Sequence, residues 1–227
     1  MTEMSKYAAQ IIINVLSGNN DGTILNGTQS IVAKGVSQGV PTYVFTANTD
    51  SPQAVSQAAA NLMQPWRLYI RGHGSVSRQT LGGVDAALLA QYLSQCGLAG
   101  NLPAIVSVTA CRLALGKDQA KDQIPYVASG NSYVGDLHRI LGQTHGIYVS
   151  ASGRTMNNAV INQGARIGRK LTKNPVTNQR HPNQLFSKVV FYWDEQRAQR
   201  FGFARTEMDI DEDADYMDID EDMMDIG

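Results

Sequence analysis

Two short apolar, β-rich runs, each ending in a reactive side chain, constrain this chain more than anything else in it. Arg67-Leu-Tyr-Ile-Arg71 reads as a buried strand, broken by Gly72-His73-Gly74. Residues 104–110 read as a second buried strand, with Cys111 at its C-terminal end. Between them, residues 84–96 place Val84, Ala87, Leu88, Leu89, Tyr92 and Cys96 near helical spacing. Strand, helix, strand is a parallel crossover unit. Parallel strands present their C-terminal ends on one sheet edge, where α/β folds build sites. The topology therefore predicts that His73 and Cys111 share an edge, although 38 residues separate them.

The rest of the chain continues the alternation. Residues 9–16 are apolar and β-branched and predict a first central strand. A turn over residues 17–22 leads into a helix over 23–36 with Ile24, Ile31 and Val32 inward. Residues 42–46 predict a strand, and Asp50-Ser-Pro52 can cap a helix over about residues 53–63. Residues 112–130 look polar and loop-like, 132–141 helical and 146–151 extended. Residues 153–182 are rich in Gly, Asn and bases, with some strand pairing, and 187–193 predict a closing strand. Alternation up to Ala151 argues an α/β domain with a β-rich appendage.

At 227 residues and 43% hydrophobic, one substantial core is within reach, and one domain is the default. Two cysteines, Cys96 and Cys111, make no disulfide framework. No apolar run is long enough to span a membrane, and the N-terminus lacks a secretory pattern. No set of Cys and His has metal-ligand spacing, so no metal is expected.

Charge is unevenly placed. Residues 207–227 hold 11 acids and no Lys or Arg, which leaves 9 acids against 19 bases in residues 1–206. From Leu137 to Trp193 there is no acid, while Arg139, Arg154, Arg166, Arg169, Lys170, Lys173, Arg180 and Lys188 lie there. Such a block repels itself and wants an anionic partner. The acidic tail repeats Met208-Asp-Ile-Asp-Glu-Asp213 as Met217-Asp-Ile-Asp-Glu-Asp222. Its composition predicts disorder when alone, either as a solvating tail or folded back on the basic surface.

A thiolate attacks carbonyls when a neighbour lowers its pKa or a histidine manages protons. Cys96, within the amphipathic helix, reads as a core residue; Cys111 does not, because it terminates a strand. His73 between two glycines reads poorly as a core histidine. His145 precedes its strand and so falls at the opposite edge; His138 sits on a polar helix and His181 in a loop.

A hydrophobic block ending in His-Gly, followed by one ending in Ala-Cys, is similar to the caspase-like clan of cysteine peptidases. Over roughly residues 8–196 the chain resembles the inositol-hexakisphosphate-activated cysteine protease domains of bacterial toxins, both the autoprocessing RTX and the large clostridial type. The matches run in order. Ile12-Ile-Asn-Val-Leu-Ser-Gly-Asn-Asn-Asp21 resembles the first strand and its aspartate; Lys34, in Ile31-Val-Ala-Lys34, and Arg67, six residues before His73, resemble phosphate ligands. Gly72-His73-Gly74 resembles the histidine motif, and Leu81-Gly-Gly-Val-Asp-Ala-Ala-Leu-Leu89 the segment after it. Ile105-Val-Ser-Val-Thr-Ala-Cys111 resembles the nucleophile strand. Gly168-Arg-Lys-Leu-Thr-Lys173 and Ser187-Lys-Val-Val-Phe-Tyr-Trp-Asp194 resemble the β-flap and the strand closing the phosphate site.

The resemblance implies a caspase-like, mostly parallel sheet flanked by helices, with a β-flap over about 153–193 of a protease domain at 1–196. Residues 197–227 would be the tail. It implies Cys111 as nucleophile, His73 as proton carrier and Asp21 as its orienting group, with Asp50 as the substitute. Backbone N–H groups of Gly74 and Cys111 would form the oxyanion hole. Lys34, Arg67, Arg169, Lys170 and Lys188 would bind inositol hexakisphosphate, with Lys173 and Arg154 as additions, and the anion would order the flap. A leucine-like P1 residue is implied, as is a secreted or translocated bacterial effector acting in a eukaryotic cytosol. A non-catalytic inositol-phosphate sensor on the same fold is the alternative, and a cofactor-independent clan relative a third. Few residues precede the first strand, so cutting in trans stands open beside autoprocessing. Arg112 adds a base beside the thiol, residues after it up to Gly130 match nothing, and the tail, foreign to the pattern, could compete for the phosphate site. The expected partners are thus a peptide or protein and a small polyanion, with no specific nucleic acid.

Overall fold

The run Ala9–Val15 forms β1, buried along its whole length, as a strand covered on both faces must be. The computed structural model describes residues 6–18, 21–117, 128–155, 157–163, 166–173, 180–181 and 188–204, and within 156–187 the backbone alone. After β1 comes α1, Gly22–Ser37, capped by the Asp21 side chain on the Ile24 N–H. Then follow β2, Thr42–Thr46, and α2, Pro52–Ala60, which starts at Ser51 with proline in its first turn. The strand β3, Trp66–Gly72, is buried throughout.

Three two-residue strands follow, β4 Gly74–Ser75, β5 Thr80–Leu81 and β6 Val84–Asp85. They pair antiparallel as a small sheet between the histidine motif and the next helix. Strands this short carry no periodicity to read. Asp85 caps α3, Ala86–Gln95. Its buried face is Ala86, Leu89, Ala90 and Leu93, whereas Leu88, part of the apolar helical spacing, is 57% exposed. Late in the chain come β7 Ile105–Thr109, α4 Tyr133–Gln143, β8 Ala151–Arg154, β9 Asn157–Gln163 and β10 Arg166–Lys173. They are followed by β11 Arg180–His181, β12 Lys188–Trp193 and β13 Gln199–Phe203.

Among the described residues the main sheet has seven strands in the order β13-β12-β8-β7-β3-β1-β2. The five from β2 to β8 are parallel and β12 and β13 antiparallel. This is the expected mixed α/β architecture, a mostly parallel sheet flanked by helices. The flap is narrower than expected: β9, β10 and β11 form a separate three-stranded sheet, while residues 153–154 and 188–193 belong to the main one. Nor does the tail start at 197, because β13 pairs with β12 as the sheet edge. Residues 146–151 were expected as a strand; pairing of Val106 with Ala151 and Ser107 with Ser152 sets β8 later. Leu113, Ala114 and Leu115 are buried rather than loop-exposed. Residues 118–127 and 205–227, the latter holding the acidic repeat, lie outside the described residues.

The two sheet faces differ. Ile11, Ile13, Leu68, Ile70, Val106 and Val108 meet Val55 of α2, Leu89 and Leu93 of α3, and Leu137 and Leu141 of α4 in one apolar core. On the opposite face α1 contributes only Ile31 to a small cluster with Ile12 and Tyr69. The rest of that face is polar: Gln10, Asn14, Arg67, Arg71, Ser107 and Thr109 are buried on it. Helix α1 lies close to the strands through two glycines. A Cβ at Gly27 would collide with the Arg71 guanidinium, and one at Gly35 with Thr42 Oγ1 and Gln10 Nε2. Each glycine costs a helix interior about 1 kcal/mol relative to alanine, so the close approach is what they supply. Helix α1 also packs against β9 and β10.

Candidate active site

Strands β3 and β7 are adjacent and parallel, with Arg71 paired to Thr109. His73 and Cys111 each stand two residues beyond that pair, so they leave the sheet at the same edge. Gly74 brings the two exits together: a Cβ there would stand 2.5 Å from the Cys111 carbonyl oxygen. Only a residue without a side chain fits between the two loops. Cys111 is partly exposed, and the chain turns sharply after it, with Arg112 at φ 54°, a strained value for a residue other than glycine. The Gly82 N–H donates to the His73 carbonyl at 2.8 Å and ties down the histidine loop.

Strand order reverses at β1, whose neighbours are β2 and β3. Such a switch point opens a crevice between the loops leaving the two strands. Asp21 follows β1 and His73 follows β3, and they meet across it. His73 Nε2 lies 3.1 Å from Asp21 Oδ1 and 3.0 Å from Oδ2. A carboxylate accepts, so Nε2 donates, and Nδ1 is the nitrogen remaining for proton transfer. Asp21 is doubly anchored, since its side chain also caps α1. Asp50 is engaged elsewhere: its Oδ2 accepts from the Thr46 N–H at 2.6 Å.

The competing residues fall away from this edge. Burial pushes the Cys96 thiol up to about 12, which leaves it protonated and unreactive. His138 is not on a polar face; it is fully buried and stacks on Trp193 with centroids 4.4 Å apart. Burial lowers its pKa to about 4. His181 has its backbone in β11, with its side chain outside the description. Among the described residues no group of His, Cys, Asp and Glu could hold a metal, and no helix is long and apolar enough to cross a membrane.

Four of the expected anion ligands are buried between the polar sheet face and α1. Arg67 and Lys188 are 2% exposed, Arg154 5% and Lys34 9%. Arg154 and Lys188 are direct partners on neighbouring strands, so both point to one face. Arg67 donates Nε and Nη2 to Gln10 Oε1 at 3.0 and 2.8 Å and stacks over the rings of Tyr7 and Tyr69. Arg169, Lys170 and Lys173 have their backbones in β10, against α1, and their side chains lie outside the description. A fifth buried base, Arg71, escaped the sequence reading, although alternation from Arg67 through Tyr69 puts it on the same face. Burial pushes its guanidinium down to about 10. No Asp or Glu is buried among the described residues. Four bases, Arg67, Arg71, Arg154 and Lys188, are thus buried on one sheet face, with Lys34 on the helix that covers it.

A family model, that of the peptidase C80 family, matches residues 5–172. No curated protein matches the chain. The matched span holds β1, α1, β3 and β7, and with them Asp21, His73 and Cys111. The chain therefore belongs to the peptidase C80 family, and its substrate is a peptide or protein.

Proposed function

We propose that this protein is a cysteine endopeptidase whose active edge is organised by inositol hexakisphosphate bound on the cationic face. The observation that carries the reading is the course of α1. Its first residue follows Asp21, which holds His73, and its last turn carries Lys34 into the buried bases. Thirteen residues of helix, about 20 Å, join the two sites.

The reaction follows from the groups at the edge. Cys111 Sγ, as thiolate, adds to the peptide carbonyl carbon, and the carbonyl electron pair moves to oxygen. The N–H groups of Gly74 and Cys111 receive that oxyanion. His73 protonates the leaving amine as the C–N bond breaks, then takes a proton from the water that hydrolyses the thioester. Asp21 keeps the imidazole oriented. Lys34, Arg67, Arg154 and Lys188 hold the anion, joined by Arg169, Lys170 and Lys173 from the flap. The anion adds negative charge among these bases and bridges the main sheet to the flap. A leucine-like P1 residue, and cleavage either of its own chain or in trans, complete the reading.

A peptide electrophile that labels Cys111, titrated with and without inositol hexakisphosphate and with Cys111→Ala as control, tests it. Stoichiometric labelling only with the anion is expected. Thermal stabilisation by the anion without labelling would instead mean a non-catalytic sensor, and labelling independent of the anion a constitutive peptidase.

A further inference from the structure

We propose that Arg71 is a further anion ligand, taking a phosphate oxyanion at the end of the cationic face nearest the catalytic histidine. The inference rests on the activator reading above and extends it to a residue that the motif matches do not include.

Register defines the position. Asn14 pairs with Arg71, and Arg71 with Thr109. Ser107 pairs with Ser152, so Thr109 is level with Arg154, which pairs with Lys188. Arg71, Arg154 and Lys188 therefore lie in one row across the sheet, on one face. With strands about 4.8 Å apart, the row is roughly 15 Å long. Arg67 lies four residues back on β3, about 13 Å away. Arg71 thus extends the anion site toward the edge, two residues before His73.

Chemistry defines the ligand. Arg71 is 3% exposed, and its Nε and Nη1 find no hydrogen-bond partner among the described residues. Its neighbour in register, Asn14, is engaged with α1, its Oδ1 accepting from Thr28 Oγ1 at 2.6 Å. Gly27 gives the guanidinium room against α1. A buried guanidinium with unmet donors at Nε and Nη1, on a face where no described acid is buried, matches the oxygens of an oxyanion. An anion there would hold the end of β3 from which the histidine loop departs.

The test uses the full chain, with thermal unfolding and Cys111 labelling in wild type, Arg71→Met and Arg71→Lys. Without anion, Arg71→Met should melt at or above the wild-type temperature, because it removes an unsatisfied buried charge and keeps an apolar stem. The inositol hexakisphosphate concentration for half-maximal stabilisation and labelling should rise about 10- to 100-fold. Arg71→Lys should fall between, having the charge without the fork. Wild-type affinity in Arg71→Met overturns the proposal, as does a loss of folding or stability without anion, which would make Arg71 structural. If inositol hexakisphosphate neither stabilises nor activates the wild type, the activator reading fails separately. Inorganic phosphate then decides: stabilisation of wild type but not of Arg71→Met keeps the site, and no difference removes it.

Discussion

Two rows of the main sheet, one residue apart, show two ways of filling a protein interior. Ile13, Ile70 and Val108 pair across β1, β3 and β7 and face α3 and α4. One residue on, Asn14, Arg71 and Thr109 pair across the same strands and face α1. The apolar row stabilises unaided, since each fully buried aliphatic side chain contributes about 1.5–3 kcal/mol. The polar row and its neighbours Arg154 and Lys188 bring buried charge, which is costly to take out of water. One face holds the fold together, and under the activator proposal the other would make it responsive to an anion. The candidate catalytic residues leave the strand ends between them, where either face can affect their geometry.

The largest effect is expected at that shared edge. Asp21→Asn keeps a helix cap but removes the carboxylate from His73, so turnover should drop about 10²- to 10⁴-fold with little change in melting temperature. Unchanged turnover would take Asp21 out of the mechanism. On the apolar face, Ile70→Ala should cost about 2–5 kcal/mol. Urea unfolding should give the same loss with and without inositol hexakisphosphate; a loss that depends on the anion would mean that the two faces are not separable.

A pH experiment sharpens the apolar side. His138 is buried there with its pKa lowered from 6.5 to about 4. Between those values the unfolded chain binds the proton and the folded one does not. Stability is therefore fully present above pH 6.5 and falls as pH drops toward 4, by about 3 kcal/mol. His138→Phe keeps a ring against Trp193 and should flatten that slope in urea titrations at pH 4.5 and 7. An unaltered slope would assign the loss to other groups. The smallest effect is expected on the cationic face. Lys188→Met should reduce the rise in melting temperature expected on adding the anion, each protein read against its own anion-free value. If the rise is the same in Lys188→Met as in wild type, the contrast between the faces is wrong.

Much of this was legible before any coordinates. Two β-rich runs ending in His73 and Cys111, with a helix between, imply adjacent parallel strands and one edge. Asp21, placed by resemblance, stands against His73. The misses have physical reasons. Helical spacing takes in Leu88 beside Leu89 because both are equally apolar, and only packing chooses between them. His138 was read as polar because composition cannot show Trp193, 55 residues on, arriving to cover it. Arg71 was hidden in a run read as uniformly buried, and its charge was discounted although its period-two relation to Arg67 was in plain view.

Local pattern settles which segments become strands and helices, because backbone geometry and side-chain periodicity act within a few residues. It also settles where glycine permits a close approach and which termini carry reactive groups. Register and face are different in kind. The level of Arg154 with Thr109, and the contact of Asp21 with His73 over 52 residues, arise when distant strands pair. Those pairings are selected by the burial of the whole sheet, and no segment read alone contains that energy.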